Sequence, residues 1–237
     1  MIRLVDDGLE YPSLPLSVYV AGPPTDTWGF ARWLGRAGCY QTDKIKTADV
    51  VFFAGGSDVN PKLYNNAPLP ETAYDDNRDR LDLLTFAVCR EEGIPMVGIC
   101  RGAQFLWTQL GGRLYQDVDN HNDGEHEIMH FATGKKYLAS SVHHQMCYPS
   151  PVDGLRLLAT SDVSRTRKTP ECTSTGKSTD YELWSVEKKG ILGIQGHPEY
   201  VGWPQYSKLC ADLIKQHILD SQFTAYQNGS LRLIDKF

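Results

Sequence analysis

Apolar residues along the chain fall into short runs separated by stretches of helical spacing, the alternation that an open α/β sheet requires. Ser17 to Ala21 predicts an early strand, and Trp28 to Ala37 predicts a helix closed by Gly38. Ala48 to Ala54 (ADVVFFA) predicts a strand ending on Gly55-Gly56, and a long loop rich in Pro, Asn and Asp follows. Arg78 to Glu92 predicts a helix with Leu81, Leu84 and Val88 on one face, ended by Gly93. Ile94 to Ile99 is apolar with little alternation, as suits a strand covered on both faces. Apolar residues then recur at Ala103, Leu106, Trp107 and Leu110 as one helical stripe, which Gly111-Gly112 stops. A further apolar strand opens Gly190 to Tyr200 (GILGIQGHPEY). Tyr206, Leu209, Cys210, Leu213, Ile214, His217 and Ile218 make the cleanest amphipathic helix, on which His217 reads as a packed residue rather than a ligand.

The strand at Ile94 runs into the following helix through a reversal that falls on Cys100. Gly98 and Gly102 flank it in G-x-C-x-G spacing, the thiol counterpart of the serine elbow, where small neighbours let a strained turn close. A sulfur there projects at a helix N-terminus, where the dipole favours negative charge and unpaired backbone N–H groups can serve an oxyanion. Cys39, Cys89, Cys147, Cys172 and Cys210 lack these glycines and form no C-x-x-C pair or metal spacing, so they read as inert.

Composition narrows the class without naming the chemistry. At 237 residues and 41% hydrophobic the chain can bury one substantial core, so a single domain over 1–237 is expected. Unpatterned cysteines, the absence of a long apolar run and the lack of a charged-then-apolar leader predict a cytoplasmic protein that engages no membrane. A net charge of -5 gives no basic field for nucleic acid.

His197, Pro198 and Glu199 stand where the late strand exits. A histidine two residues before a carboxylate, with proline fixing their separation, suits a general base oriented by an acid. Ligand sites gather at the carboxyl ends of strands in open α/β sheets, so Cys100 and His197 could share one crevice.

GICRGAQ and GIQGHPE resemble the class I glutamine amidotransferase superfamily. FAGGSDVNPKLY (Phe53 to Tyr64), NRDRLD (Asn77 to Asp82), GGRLYQDV (Gly111 to Val118) and SSVHHQ (Ser140 to Gln145) look most like its gamma-glutamyl hydrolase branch, the gamma-glutamyl-gamma-aminobutyrate hydrolase-like proteins. The resemblance implies a flavodoxin-like α/β fold: an open, mostly parallel central sheet flanked by helices, with a β-rich section in the second half. It also implies a Cys100, His197, Glu199 triad that cleaves a gamma-glutamyl amide through a thioester. The oxyanion would be held by backbone N–H groups of Arg101 and the Gly55-Gly56 turn. Gln104, Ser141 and His143 would contact the substrate, and no metal or organic cofactor is called for. Three positions depart from the family pattern: Gly196 replaces an aromatic residue, Ala54 a proline and Trp107 an asparagine. None is a triad position, so they bear on the shape of the substrate pocket.

Two other motifs compete. HEIMH at His126 to His130 satisfies the H-E-x-x-H spacing of zinc metalloproteases, which needs a helix to bring both histidines to one metal. Asn122-Asp123-Gly124 before it and Thr133-Gly134 after it leave little room for one, and the family resemblance expects β structure here. STGKST at Ser174 to Thr179 resembles the end of a phosphate-binding loop, but Glu171 stands at the leading glycine position and no apolar strand precedes it.

Ser161 to Asp180 is polar and locally basic through Arg165, Arg167, Lys168 and Lys177, which predicts a flexible surface loop or a lid for an acidic substrate or partner. Residues 222–237 predict a C-terminal arm. The function expected is a free-standing cysteine hydrolase acting on glutamine or another gamma-glutamyl amide. The alternative is a glutaminase subunit that hands ammonia to a separate synthetase, and a homo-oligomer fits either reading.

Overall fold

The computed structural model describes residues 9–27 and 29–227. Its first half alternates strand and helix: β1 (Ser17–Ala21), α1 (Pro24–Thr27), α2 (Phe30–Arg36), β2 (Tyr40–Gln41), β3 (Val50–Phe53), α3 (Asp76–Glu92), β4 (Met96–Ile99) and α4 (Arg101–Gln109). Strands then dominate: β5 (Arg113–Tyr115), β6 (Asp117–Val118), β7 (Gly124–His130), β8 (Lys135–Ser141), β9 (Met146–Tyr148), β10 (Arg156–Ser161), β11 (Thr166–Lys168), β12 (Thr173–Thr175), β13 (Asp180–Val186) and β14 (Ile191–Ile194). Helix α5 (Pro204–Gln227) follows.

One nine-stranded sheet runs in the order β2-β1-β3-β4-β14-β13-β10-β7-β8. From β2 to β14 neighbouring strands are parallel, and from β14 to β8 they are antiparallel. The β-rich section therefore continues the parallel sheet instead of standing apart from it. Successive residues of β3 face opposite sides: Val50 and Phe52 join α2 and α5 in one core, while Val51 and Phe53 join α3 and α4 in the other. The same alternation puts Val97 and Ile99 of β4 on the first side and Met96 on the second. All four residues of β3, β4 and β14 are buried, so the centre of the sheet is covered on both faces.

α2 begins at Phe30, and Trp28 lies outside the described residues, as do residues 228–237 of the expected C-terminal arm. α3 occupies the expected span with a different face inward. Leu81 and Leu84 are 61% and 58% exposed, whereas Arg78, Asp79, Asp82 and Cys89 are buried. The inward face is charged because it meets Arg101, the first residue of α4, whose guanidinium pairs with Asp79 and Asp82 and is itself 1% exposed. Arg78 joins Asp82 at 3.2 Å, which gives a buried cluster of two cations and two anions.

Ser161 to Asp180 is also more ordered than its composition suggests. β11 and β12 pair as a hairpin, and β11 pairs with β6 on its other side. Its basic residues are largely committed within the chain: buried Arg167 donates to the Gly176 carbonyl at 3.1 Å, and Lys168 pairs with Asp117 at 2.6 Å and Glu71 at 2.9 Å. No described helix is long and apolar enough to cross a membrane.

Arg101→Met is expected to destabilise the protein by about 3–5 kcal/mol, because it leaves the buried Asp79 carboxylate without its cation and Asp82 with Arg78 alone. Leu81→Ser on the exposed face should stay within about 0.5 kcal/mol. Urea unfolding of the two variants checks the assignment, and similar losses for both would contradict it.

Candidate active site

The reversal between β4 and α4 places Cys100 at φ 51 and ψ -112, one of three non-glycine residues with positive φ among those described. That conformation is costly for a side-chain-bearing residue and persists only where neighbours enforce it. Both flanking glycines are required by space. A Cβ on Gly98 would lie 2.5 Å from the Ala103 nitrogen, and one on Gly102 would collide with the Phe53 carbonyl. The turn is thus clamped between its own helix and the end of β3.

His197 follows β14, the strand beside β4, so the sheet brings it to the elbow. Its Nδ1 lies 2.7 Å from Glu199 Oε1. Burial disfavours the charged ring, but the Cys100 sulfur and the Glu199 carboxylate together raise its pKa well above 6.5. Three further contacts fix the segment. Ser140 Oγ accepts from the His197 backbone N–H at 2.7 Å, the Tyr200 ring stacks on the imidazole with centroids 4.3 Å apart, and Gly29 leaves room for Glu199. A Cβ on Gly55 would lie 2.7 Å from His197 Cε1, so the Gly55-Gly56 turn lies directly against the imidazole.

Arg78 and Arg101 place that turn. Arg78 donates to the Ala54 carbonyl at 2.8 Å and the Gly55 carbonyl at 3.1 Å, and Arg101 Nε donates to the Ser57 carbonyl at 3.2 Å. Gln104 is buried, and its amide donates to the Gln145 carbonyl at 3.0 Å. Ser141 is fully buried and its Oγ has no hydrogen-bond partner. His143 is buried with Nδ1 held by the Gln145 carbonyl at 3.0 Å and Nε2 unpartnered. Burial, then the neighbouring His121 and His126, hold its pKa well below 6.5, so it is a neutral ring.

Four side chains at this site escaped the sequence reading. Gln195 sits between Cys100 Sγ, 3.8 Å from its Nε2, and Gln104, 3.4 Å from its Oε1. It stands inside GIQGHPE, so the motif held the signal. Ser140, Tyr200 and Arg78 stand inside SSVHHQ, GILGIQGHPEY and NRDRLD, but nothing in those motifs says that the first two anchor and cover His197 or that Arg78 holds the glycine turn. The other cysteines are all unpaired. Burial pushes the Cys39 thiol up to about 11 and the Cys89 thiol up to about 12, and raises Cys147 and Cys210 as well.

HEIMH is strand β7 rather than a helix. His126 points to Glu182 at 2.7 Å while His130 bonds Thr133 at 3.0 Å, so the motif's two histidines do not share a site. Ser174 to Thr179 begins in the hairpin strand β12 and leads into β13 with no helix to receive a phosphate.

A thiol held at a helix N-terminus, beside an imidazole that a carboxylate orients, is equipped to attack a carbonyl and to pass a proton to its leaving group. The model of the peptidase C26 family matches residues 33–199. The chain belongs to that family. Among its relatives, the glutamine amidotransferase-like protein YvdE of Lactococcus lactis is 28% identical over 183 residues, covering 67% of this chain and 71% of that protein. A glutamine-hydrolyzing GMP synthase of Rhizobium rhizogenes is 26% identical over 189 residues, 78% of this chain but 33% of that protein. The glutaminase domain of Trypanosoma brucei CTPS, solved with bound acivicin, superposes with a TM-score of 0.54 at 10% identity, covering 86% of this chain and 93% of that one. This C26 chain thus has the fold of the class I glutamine amidotransferases, the α/β architecture expected from its motifs.

Because the His197 pKa is raised in the folded state, the favourable contacts of its charged form are present in full below pH 6.5 and fade as pH climbs through the raised value. Glu199→Gln is therefore expected to lower the urea midpoint clearly at neutral pH and less at alkaline pH. A loss that grows with pH would contradict the His197–Glu199 assignment.

Proposed function

We propose that this C26 protein hydrolyses a gamma-glutamyl amide through a gamma-glutamyl thioester on Cys100. The observation that carries the reading is His197, held 2.7 Å from the Glu199 carboxylate, on the strand exit beside the Cys100 elbow, where the sulfur and the carboxylate both raise the pKa of the ring. Cys100 Sγ adds to the amide carbon, and the carbonyl oxygen becomes an oxyanion accepted by the backbone N–H groups of Arg101 and the Gly55-Gly56 turn. His197 takes the thiol proton and gives it to the departing nitrogen as the C–N bond breaks. Water then attacks the thioester with His197 accepting its proton, which releases glutamate and regenerates the thiol. Glu199 holds the ring tautomer and stabilises the imidazolium throughout. Gln104, Ser141 and His143 are the residues assigned to the glutamyl group, and Gln104 reaches towards the sulfur through Gln195. Ser141 Oγ and His143 Nε2 bring unsatisfied polar atoms to that role.

A second reading has its own support. The chain matches a third of a glutamine-hydrolyzing GMP synthase along most of its own length, as an ammonia-supplying subunit would. In that case the substrate is glutamine and a synthetase is the partner.

Glutamine and a panel of gamma-glutamyl amines, assayed for glutamate release, test both readings. The wild type is expected to turn over at least one of them, and Cys100→Ala to lose at least about 1000-fold, as removal of a nucleophile does in other covalent hydrolases. Added hydroxylamine should divert the thioester to a gamma-glutamyl hydroxamate. Undiminished turnover in Cys100→Ala would end the thioester mechanism. Glutaminase activity that appears only when a synthetase is added would favour the subunit reading.

A further inference from the structure

Beyond the triad, the antiparallel half of the sheet gathers His121, His126 and Glu182 at one buried point. β10 pairs with β7 only at Ala159 and Thr160, so the N-terminal half of β7 has no strand on that side. Glu182 of β13 reaches across this opening past Ser161, whose hydroxyl it accepts at 2.8 Å, and meets His126 Nε2 at 2.7 Å. His121, from the segment between β6 and β7, packs edge-on against His126 with ring centroids 4.8 Å apart. The three residues are 0%, 8% and 1% exposed, and each brings one ligand atom to within 4.8 Å of the others.

We propose that His121, His126 and Glu182 are the protein ligands of a Zn²⁺ ion, at a site separate from Cys100, His197 and Glu199. Two imidazoles and one carboxylate are a donor set that suits zinc, whereas calcium and magnesium favour oxygen alone. Two independent features point to an ion. Nδ1 of His121 and Nδ1 of His126 are buried with no hydrogen-bond partner, although buried polar atoms are ordinarily satisfied. Asp180 lies 3.3 Å from His121 Nε2 and also accepts from the Ser164 backbone at 3.0 Å, so a second carboxylate orients the imidazole from behind, as around many metal-bound histidines. An ion among the three takes the lone pair of Nδ1 from each imidazole and one from the Glu182 carboxylate, while the His126 Nε2–H stays on Glu182 Oε1. The fourth position falls to water.

The site also has a mechanical link to the active-site segment. The His143 backbone N–H donates to the His121 carbonyl at 2.9 Å, so an ion at His121 braces Ser141 to Gln145.

Full-length protein stripped with a chelator and dialysed against Zn²⁺ at micromolar concentration should hold one equivalent and melt at higher temperature. His126→Ala and Glu182→Gln should each lose that equivalent, while Cys172→Ser, which removes the exposed thiol, should keep it. If either ligand variant fails to fold, Co²⁺ bound to the wild type decides: one equivalent with visible ligand-field bands and no sulfur charge-transfer band is expected. A wild type that holds no metal, zinc retained in both folded ligand variants, or a sulfur-ligated Co²⁺ spectrum would overturn the site and leave a proton-bridged histidine–carboxylate pair.

Discussion

Four buried charges hold the Cys100 end of this C26 protein together. Arg101 pairs with Asp79 and Asp82, and Arg78 pairs with Asp82, so two cations and two anions neutralise one another out of reach of water. Burying such groups is costly, and replacing them all by apolar residues could yield an equally stable core. The arrangement has a positional role that apolar residues would lack. Each guanidinium has donors left over, and these fall on the carbonyls of Ala54, Gly55 and Ser57. The same ions therefore seat α3, fix Arg101 as the first residue of α4, and hold the glycine turn against His197.

This dependence explains why the inward face of α3 could not be read from hydrophobic spacing. Leu81 and Leu84 offer a helical stripe, yet the side that matters is chosen by charge pairs reaching a residue on another helix. The central strands and the elbow were legible because their signals are local: unbroken apolar runs, and glycines whose missing Cβ atoms the packing demands. The proximity of His197 and Glu199 and the turn at Cys100 were legible for the same reason, each sitting in a short motif. The hairpin β11–β12 was not, since its strands are short, polar and stabilised by pairing with β6. HEIMH shows the reverse failure, a correct pattern on the wrong element: a strand separates two histidines that a helix would align.

The departures from the family pattern also acquire a physical account. A Cβ on Gly196 would lie 2.7 Å from Tyr206 Oη, so an aromatic ring reaches that place from α5 and excludes any side chain at 196. Trp107 is wholly buried, donates to the Arg113 carbonyl at 2.9 Å and packs against Trp184, with Gly112 and Gly193 vacating space for the two indoles. Both changes are compensated by neighbours on other elements, Tyr206 of α5 for Gly196 and Trp184 of β13 for Trp107.

The pairing of β4 with β14 has a further consequence for how the protein is made. Met96 to Ile99 lie beside Ile191 to Ile194, although nearly half the chain separates them. Contacts of such wide separation close slowly and late. A chain emerging from the ribosome exposes its elbow sequence long before the strand that delivers the imidazole exists. Cys100 and His197 thus meet only after β14 has been made, and a product stalled before Ile191 carries the elbow cysteine without the imidazole proposed to activate it.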